Sequence, residues 1–138
     1  MSEKFLLKWN EFHGNISSNY KELRGDSDFS DITLACEGNQ QFNVHKLILS
    51  ASSQIFKEII INYNKSNSLI YLRGITANDL NSIIDFIYFG EANVYQEDLD
   101  RFLALAEEFK IKGLYGKAPL EVIKKTPFQR NKKSVLQM

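Results

Sequence analysis

The chain has 138 residues, of which 43% are apolar and 25% charged, with 17 basic and 17 acidic side chains. Those totals suit one soluble globular domain with a sizeable core. The single cysteine, Cys36, excludes an internal disulfide and a Cys-rich zinc site, and the apolar run Phe5-Leu-Leu7 is too short for a signal peptide or a membrane span.

Zero net charge conceals an asymmetry. Residues 1–116 carry 11 basic and 16 acidic side chains, whereas residues 117–138 carry 6 basic and one acidic. The expected organisation is a domain over 1–116 followed by a basic, flexible tail over 117–138. Such a tail is read as a solvated segment, a sorting signal or a contact for an acidic partner. Asn15-Ile-Ser17 and Asn64-Lys-Ser66 match the glycosylation sequon, but without a secretory leader they are read as chance matches, and an intracellular, reducing setting is expected.

In chain order, Phe5, Leu7 and Trp9 have the alternation of a strand. Asn10 is placed to cap a helix whose stripe is Phe12, Ile16, Tyr20 and Leu23, ended by Gly25-Asp26. Residues 31–36 form a strand, Gly38-Asn39 a turn, and Gln40–Val44 the returning strand. Two helical pieces come next, at about 45–51 and 53–61, with Leu47, Ile48, Ile55, Phe56, Ile59 and Ile60 expected inward. A polar loop over 62–68 leads to a short strand over 69–72. Thr76 and Asp79 suggest a capping box for a helix buried through Leu80, Ile83, Ile84 and Ile87, with Gly90 as its stop. Ala92–Val94 is read as a brief strand, and Leu99, Phe102, Leu103, Ala106 and Phe109 as a last amphipathic helix. Gly113, Gly116, Pro119 and Pro127 punctuate the C-terminal segment, and the irregular mixture of strands and helices argues an α+β fold.

One run carries more information than the rest. Phe29-Ser-Asp-Ile-Thr-Leu, followed by Val44-His-Lys-Leu-Ile-Leu-Ser-Ala-Ser-Ser-Gln-Ile-Phe56, resembles the BTB/POZ domain through Asp31, Leu34, Val44, His45, Lys46, Leu49, Ala51, Ser53 and Phe56. The opening Phe5-Leu-Leu-Lys-Trp-Asn10-Glu-Phe12, the stretch Asp85–Val94 and the stretch Leu103–Leu114 are similar to the insect Tramtrack group of that family. This resemblance covers about residues 5–116 and implies a helical cluster flanked by a small three-stranded sheet. It also implies an N-terminal strand exchanged between two subunits, Phe5–Trp9 of one against Ala92–Val94 of the other. An isolated strand cannot satisfy its own backbone, which agrees with exchange.

The interface so implied takes Phe5, Leu7, Trp9, Phe12, Ile16, Tyr20, Ala92 and Val94, with large aromatics as anchors. Asp31 and Lys46 resemble a charged pair lining the dimer groove, serving either to fix the strands against the helix or to recognise a partner. His45 is read as a hydrogen-bonded core histidine, alongside Leu49, Ala51, Ser53 and Phe56.

No catalytic motif accompanies these residues. His13 and His45 are the only histidines and belong to no nucleophile pattern; no phosphate-binding glycine loop is present, and the carboxylate pairs Asp98/Asp100 and Glu107/Glu108 read as a solvated helix face. Neither an enzyme nor a cofactor is expected. The resemblance implies a homodimer, a higher oligomer or a heteromer with related BTB domains, acting in the nucleus in transcription or chromatin regulation. The Tramtrack group usually joins this domain to a DNA-binding module; residues 1–138 carry none, so direct DNA binding by this chain alone is not expected, nor is a membrane or small-molecule partner. The competing reading is a substrate adaptor for a cullin-type ubiquitin ligase. Ile61-Asn-Tyr-Asn-Lys-Ser lacks the Glu such adaptors carry there, and a cullin pull-down separates the two.

Overall fold

A computed structural model describes residues 2–63, 68–114, 121–126 and 129–137. Backbone contacts group the chain into two compact units, Met1–His45 with Ser66–Ala92, and Lys46–Lys65 with Asn93–Met138.

In the first unit, helix α1 spans Phe12–Glu22, and strands β1 (Ile32–Cys36), β2 (Gln40–Val44) and β3 (Ser68–Tyr71) form a sheet in the order β2-β1-β3. β1 runs antiparallel to β2 in the register Ile32↔Val44 to Cys36↔Gln40, and parallel to β3 from Ile32↔Ser68 to Ala35↔Tyr71. Ile32, Leu34 and Cys36 share one face of the central strand, and all three are buried. The reversal after Cys36 uses left-handed backbone at Gly38 and Asn39, the residues expected to turn the chain. Burial, with the charge of Glu37 adding to it, pushes the Cys36 thiol up from its ordinary value.

Helix α4, Ala77–Phe89, completes this unit. Thr76 caps it by accepting the Asp79 amide at 3.2 Å, and Gly90 closes it at φ 77° with its amide donating to Phe86. Leu80, Ile83, Ile84 and Ile87 are buried, as their spacing predicts, and so is Tyr88.

The second unit holds α2 (Lys46–Ser52), α3 (Gln54–Asn62) and α5 (Leu99–Glu108). The joint between α2 and α3 is the fully buried Ser53. Its amide donates to Leu49 at 2.9 Å, its hydroxyl accepts the Phe56 amide at 3.1 Å, and the same hydroxyl donates to the Phe109 carbonyl. Phe56 stacks on Phe109 with ring centroids 5.1 Å apart, and the Lys112 amide reaches Ser52 at 2.9 Å. One side chain therefore ties the start of α3 to the chain leaving α5.

Several elements differ from the sequence reading. Among the described residues, 5–9 and 92–94 are not strands within one copy. Glu11, at φ 60°, takes the cap position expected of Asn10 but makes no side-chain cap bond; a turn from the Phe12 amide to Trp9 at 3.3 Å moves the helix start onward. Leu47 is 82% exposed, since the buried arc of α2 runs through Ile48 and Leu49 and, at about 100° per residue, Leu47 lies roughly opposite its middle. Ala51 falls on that outer side too and is exposed. Toward the C-terminus, β4 (Glu121–Thr126) lies antiparallel to β5 (Gln129–Gln137). Most of the loop assigned to 62–68, and Gly116, Pro119 and Pro127, lie outside the described residues.

Candidate interaction surface

The N-terminal arm and α1 present exposed apolar side chains. Phe5 is 80% exposed, Leu7 90% and Trp9 57%, and not one of the eleven residues of α1 is buried. Trp9 and Phe12 meet edge to face at 5.2 Å, and Ile16 continues the ridge one turn along. Isolated helices of this length are marginal in water and owe their stability to a buried face. A run of large exposed apolar residues of this kind marks an interaction site.

The far end of α1 is held by polar side chains. Arg24, just beyond it, donates from Nε to Asp85 Oδ1 at 3.0 Å and from Nη2 to Asn81 Oδ1 at 2.6 Å, two side chains one turn apart on α4. Tyr20, half-buried, lies with its ring centroid 6.0 Å from that of Tyr88. These contacts fix the direction of the helix while leaving Phe12 and Ile16, at 44% and 43% exposure, outside.

A second tether lies behind Tyr20. The His45 amide donates to Tyr88 Oη at 3.1 Å, and His45 Nδ1 stands 2.6 Å from the same oxygen. Asp26 Oδ2, an acceptor only, takes Nε2–H at 3.3 Å, and in the neutral ring this leaves Nδ1 to accept the phenol proton. Asp26 also accepts the amides of Phe29 and Asp28, and the Phe29 amide contributes most to holding its carboxyl below the usual range. The arrangement buries a satisfied histidine between the turn after α1, the end of β2 and α4. It offers no free nucleophile.

Tyr88 supplies a pH-dependent signature. Burial pushes its phenol up to about 12. The folded state therefore favours the protonated phenol, so this contribution to stability is intact below the ordinary value near 10 and is lost as pH rises through about 12. Thermal unfolding followed by circular dichroism is expected to show an alkaline decline over that window. Tyr88→Phe starts less stable, because His45 Nδ1 loses its donor, and lacks this component of the decline.

The other residues singled out from the sequence take separate places. Ala92 and Val94 are half-buried in an extended segment. Asp31 is exposed, and its amide donates to Val44 at 3.1 Å; Lys46 opens α2 half-buried. Leu49, Ser53 and Phe56 are fully buried. Arg24 had no signal in a motif, and Asp85 and Tyr88 stood in the Tramtrack-like stretch without a role assigned to them, although Asn81 and Asp85 at a spacing of four could have flagged the α1 tether. Among the described residues no group of His, Cys, Asp or Glu could hold a metal ion, and no helix is long and apolar enough to cross a membrane.

Comparison with known proteins gives this geometry a family. The BTB/POZ domain family model matches residues 20–125, past the boundary expected at 116. Longitudinals lacking protein-like from Drosophila melanogaster is 41% identical over 112 residues, covering 81% of this chain and 87% of the relative. Protein tramtrack, alpha isoform, and the Broad-complex core protein of the same organism are each 38% identical over 113 residues. The chain spans only 14% and 15% of those two proteins. Among solved structures, the BTB domain of zebrafish PATZ1 superposes with a TM-score of 0.69 at 20% identity, covering 80% of this chain and 91% of that one. The BTB domain of human Gigaxonin gives 0.66 at 22% identity, covering 83% and 93%. Both similarities support the α+β fold. With a family model matched over most of its length and Tramtrack-type relatives well above 30% identity, the chain belongs to the BTB/POZ domain family, whose members are protein–protein interaction modules and not enzymes.

Proposed function

We propose that this chain is a self-associating module whose N-terminal arm and α1 form the contact with a second copy or a related BTB domain. The observation that carries the reading is an eleven-residue helix with no buried residue, preceded by an arm whose Phe5, Leu7 and Trp9 are exposed. A single copy gains nothing from ordering these groups. In a pair, residues 5–9 lie as a strand against residues 92–94 of the other copy, and Phe12, Ile16 and Tyr20 close over the symmetric patch. Asp31 and Lys46 are assigned, each separately, to partner recognition at the rim. The domain is taken as residues 1–116.

The setting we assign is nuclear, in transcription or chromatin regulation. It rests on the Tramtrack-type relatives, and Zinc finger protein chinmo, 35% identical over 113 residues, is a further relative whose name carries a DNA-binding module.

Light scattering tests the assembly. At micromolar concentration the intact chain is expected to run as a dimer or larger, and the same chain lacking residues 1–10 to shift toward the monomer. A monomeric intact chain would overturn the proposal; an unchanged oligomer after truncation would remove the strand exchange from it.

A further inference from the structure

The sheet of the first unit has two edge strands of different character. β2 exposes Gln40, Gln41 and Asn43, and the Thr33 hydroxyl donates to Asn43 Oδ1 at 3.1 Å on that side. β3 instead exposes Leu69 at 54% and Tyr71 at 56%. Rung by rung, Leu69 lies beside Thr33 and Asn43, and Tyr71 beside Ala35 and Gln41, on the face opposite Ile32, Leu34 and Cys36. Two residues further in the same alternation Arg73 is exposed as well, while the intervening Leu72 is buried. The edge therefore carries an exposed stripe of two apolar side chains ended by a cation.

The backbone of β3 faces outward at the same residues. The Leu72 amide donates to the Ala35 carbonyl at 2.7 Å, so Ile70 and Leu72 turn their main chain toward β1. Leu69 and Tyr71, alternating with them, aim their amides and carbonyls to the other side, and among the described strands β3 pairs with β1 alone. Lysine and proline commonly blunt such an edge, and Ser68–Tyr71 contains neither. Arg73 makes no ion pair among the described residues.

We propose that the β3 edge takes up an extended segment of another protein as an antiparallel fourth strand, with apolar side chains opposite Leu69 and Tyr71 and a carboxylate opposite Arg73. Strand addition gives the outward amides and carbonyls of Leu69 and Tyr71 their partners, and the antiparallel ladder is the more stable of the two per residue. Side chains on one face of neighbouring strands meet directly, so the stripe selects two alternate apolar residues, and the guanidinium selects the acidic one that precedes them. The edge uses no residue of the N-terminal arm or of α1, so the proposal does not depend on the chain self-associating.

Fluorescence anisotropy of the full chain with a labelled peptide Ser-Glu-Thr-Val-Thr-Val-Ser tests this. Replacing Leu69 and Tyr71 together by serine is expected to weaken binding about thirtyfold, with the circular dichroism unchanged because both side chains are exposed. Arg73→Glu is expected to weaken it about fivefold, and a peptide with Lys in place of Glu to restore it. Methylating the backbone nitrogen of the first valine, which removes the donor to the Tyr71 carbonyl, is expected to abolish most of the binding to the unaltered chain. No binding of the parent peptide, indifference to N-methylation, or no rescue by the charge swap would each overturn the proposal. So would a fall in sedimenting mass on the Leu69→Ser, Tyr71→Ser substitution, which would assign the edge to another copy of this chain.

Discussion

Replacing Phe12 and Ile16 together by aspartate is expected to weaken self-association by about 1,000-fold, at about 2 kcal/mol for each central anchor. Both residues lie on the exposed face of α1, at 44% and 43% exposure, so the folded single copy loses no buried contact. The tether at the other end of the helix, from Arg24 to Asp85 and Asn81, is untouched. Sedimentation over a concentration series reads the dissociation constant, and circular dichroism of the dilute variant checks that the helices remain. A double variant that associates as tightly as the parent would mean that the ridge faces solvent in the assembly too. Truncating residues 1–10 removes strand pairing but keeps the ridge, so the two experiments apportion the interface between backbone hydrogen bonds and apolar area.

How far the sequence anticipates the molecule depends on whether a signal is local. Thr76 and Gly90 delimit α4 as expected because caps act within one turn. The β1–β2 register follows from Gly38 and Asn39, which accept left-handed backbone at the reversal. Periodicity misplaces Leu47 because a seven-residue helix flanked by apolar neighbours does not fix its own buried arc; Ile48 and Leu49 take the inward positions. The parallel pairing of β1 with β3 joins residues more than thirty apart, from Ile32↔Ser68 onward, and no periodicity in either strand announces it.

The interaction surface divides in the same way. Its apolar members are legible, since Phe12, Ile16 and Tyr20 repeat at helical spacing, but the pattern does not say whether a stripe faces its own core or a partner. Exposure decides that Phe12 and Ile16 are uncovered in one copy, whereas Tyr20 is half-buried beside Tyr88. The polar groups that aim the helix are far less legible, with only the spacing of Asn81 and Asp85 as a hint. Tyr88 sits in a run of buried apolar residues, and only its geometry reveals that its hydroxyl serves both the amide and the ring of His45. Sequence marks Asp26 only as part of a helix stop, yet it is the acceptor for His45 Nε2 and for the Phe29 amide.

Phe56→Ala is expected to cost about 3–5 kcal/mol, and Ser53→Ala about 2–4 kcal/mol, against a total stability on the order of 5–15 kcal/mol for a domain of this size. The first removes a fully buried ring stacked at 5.1 Å on Phe109, with a cavity left behind because its neighbours relax only in part. The second deletes an N-cap and, in the same stroke, the donor to the Phe109 carbonyl, leaving two backbone groups without this partner in a site shielded from water. Urea unfolding at fixed protein concentration measures both, since association also raises apparent stability. The double variant should cost less than the sum. Ser53 and Phe56 both hold the segment at Phe109, one through its carbonyl and one through its ring, so once either is lost the other has less ordered structure to act on. Strict additivity would instead mean that the capped turn and the stacked ring stabilise the second unit independently, and that Ser53 is not the joint its hydrogen bonds describe.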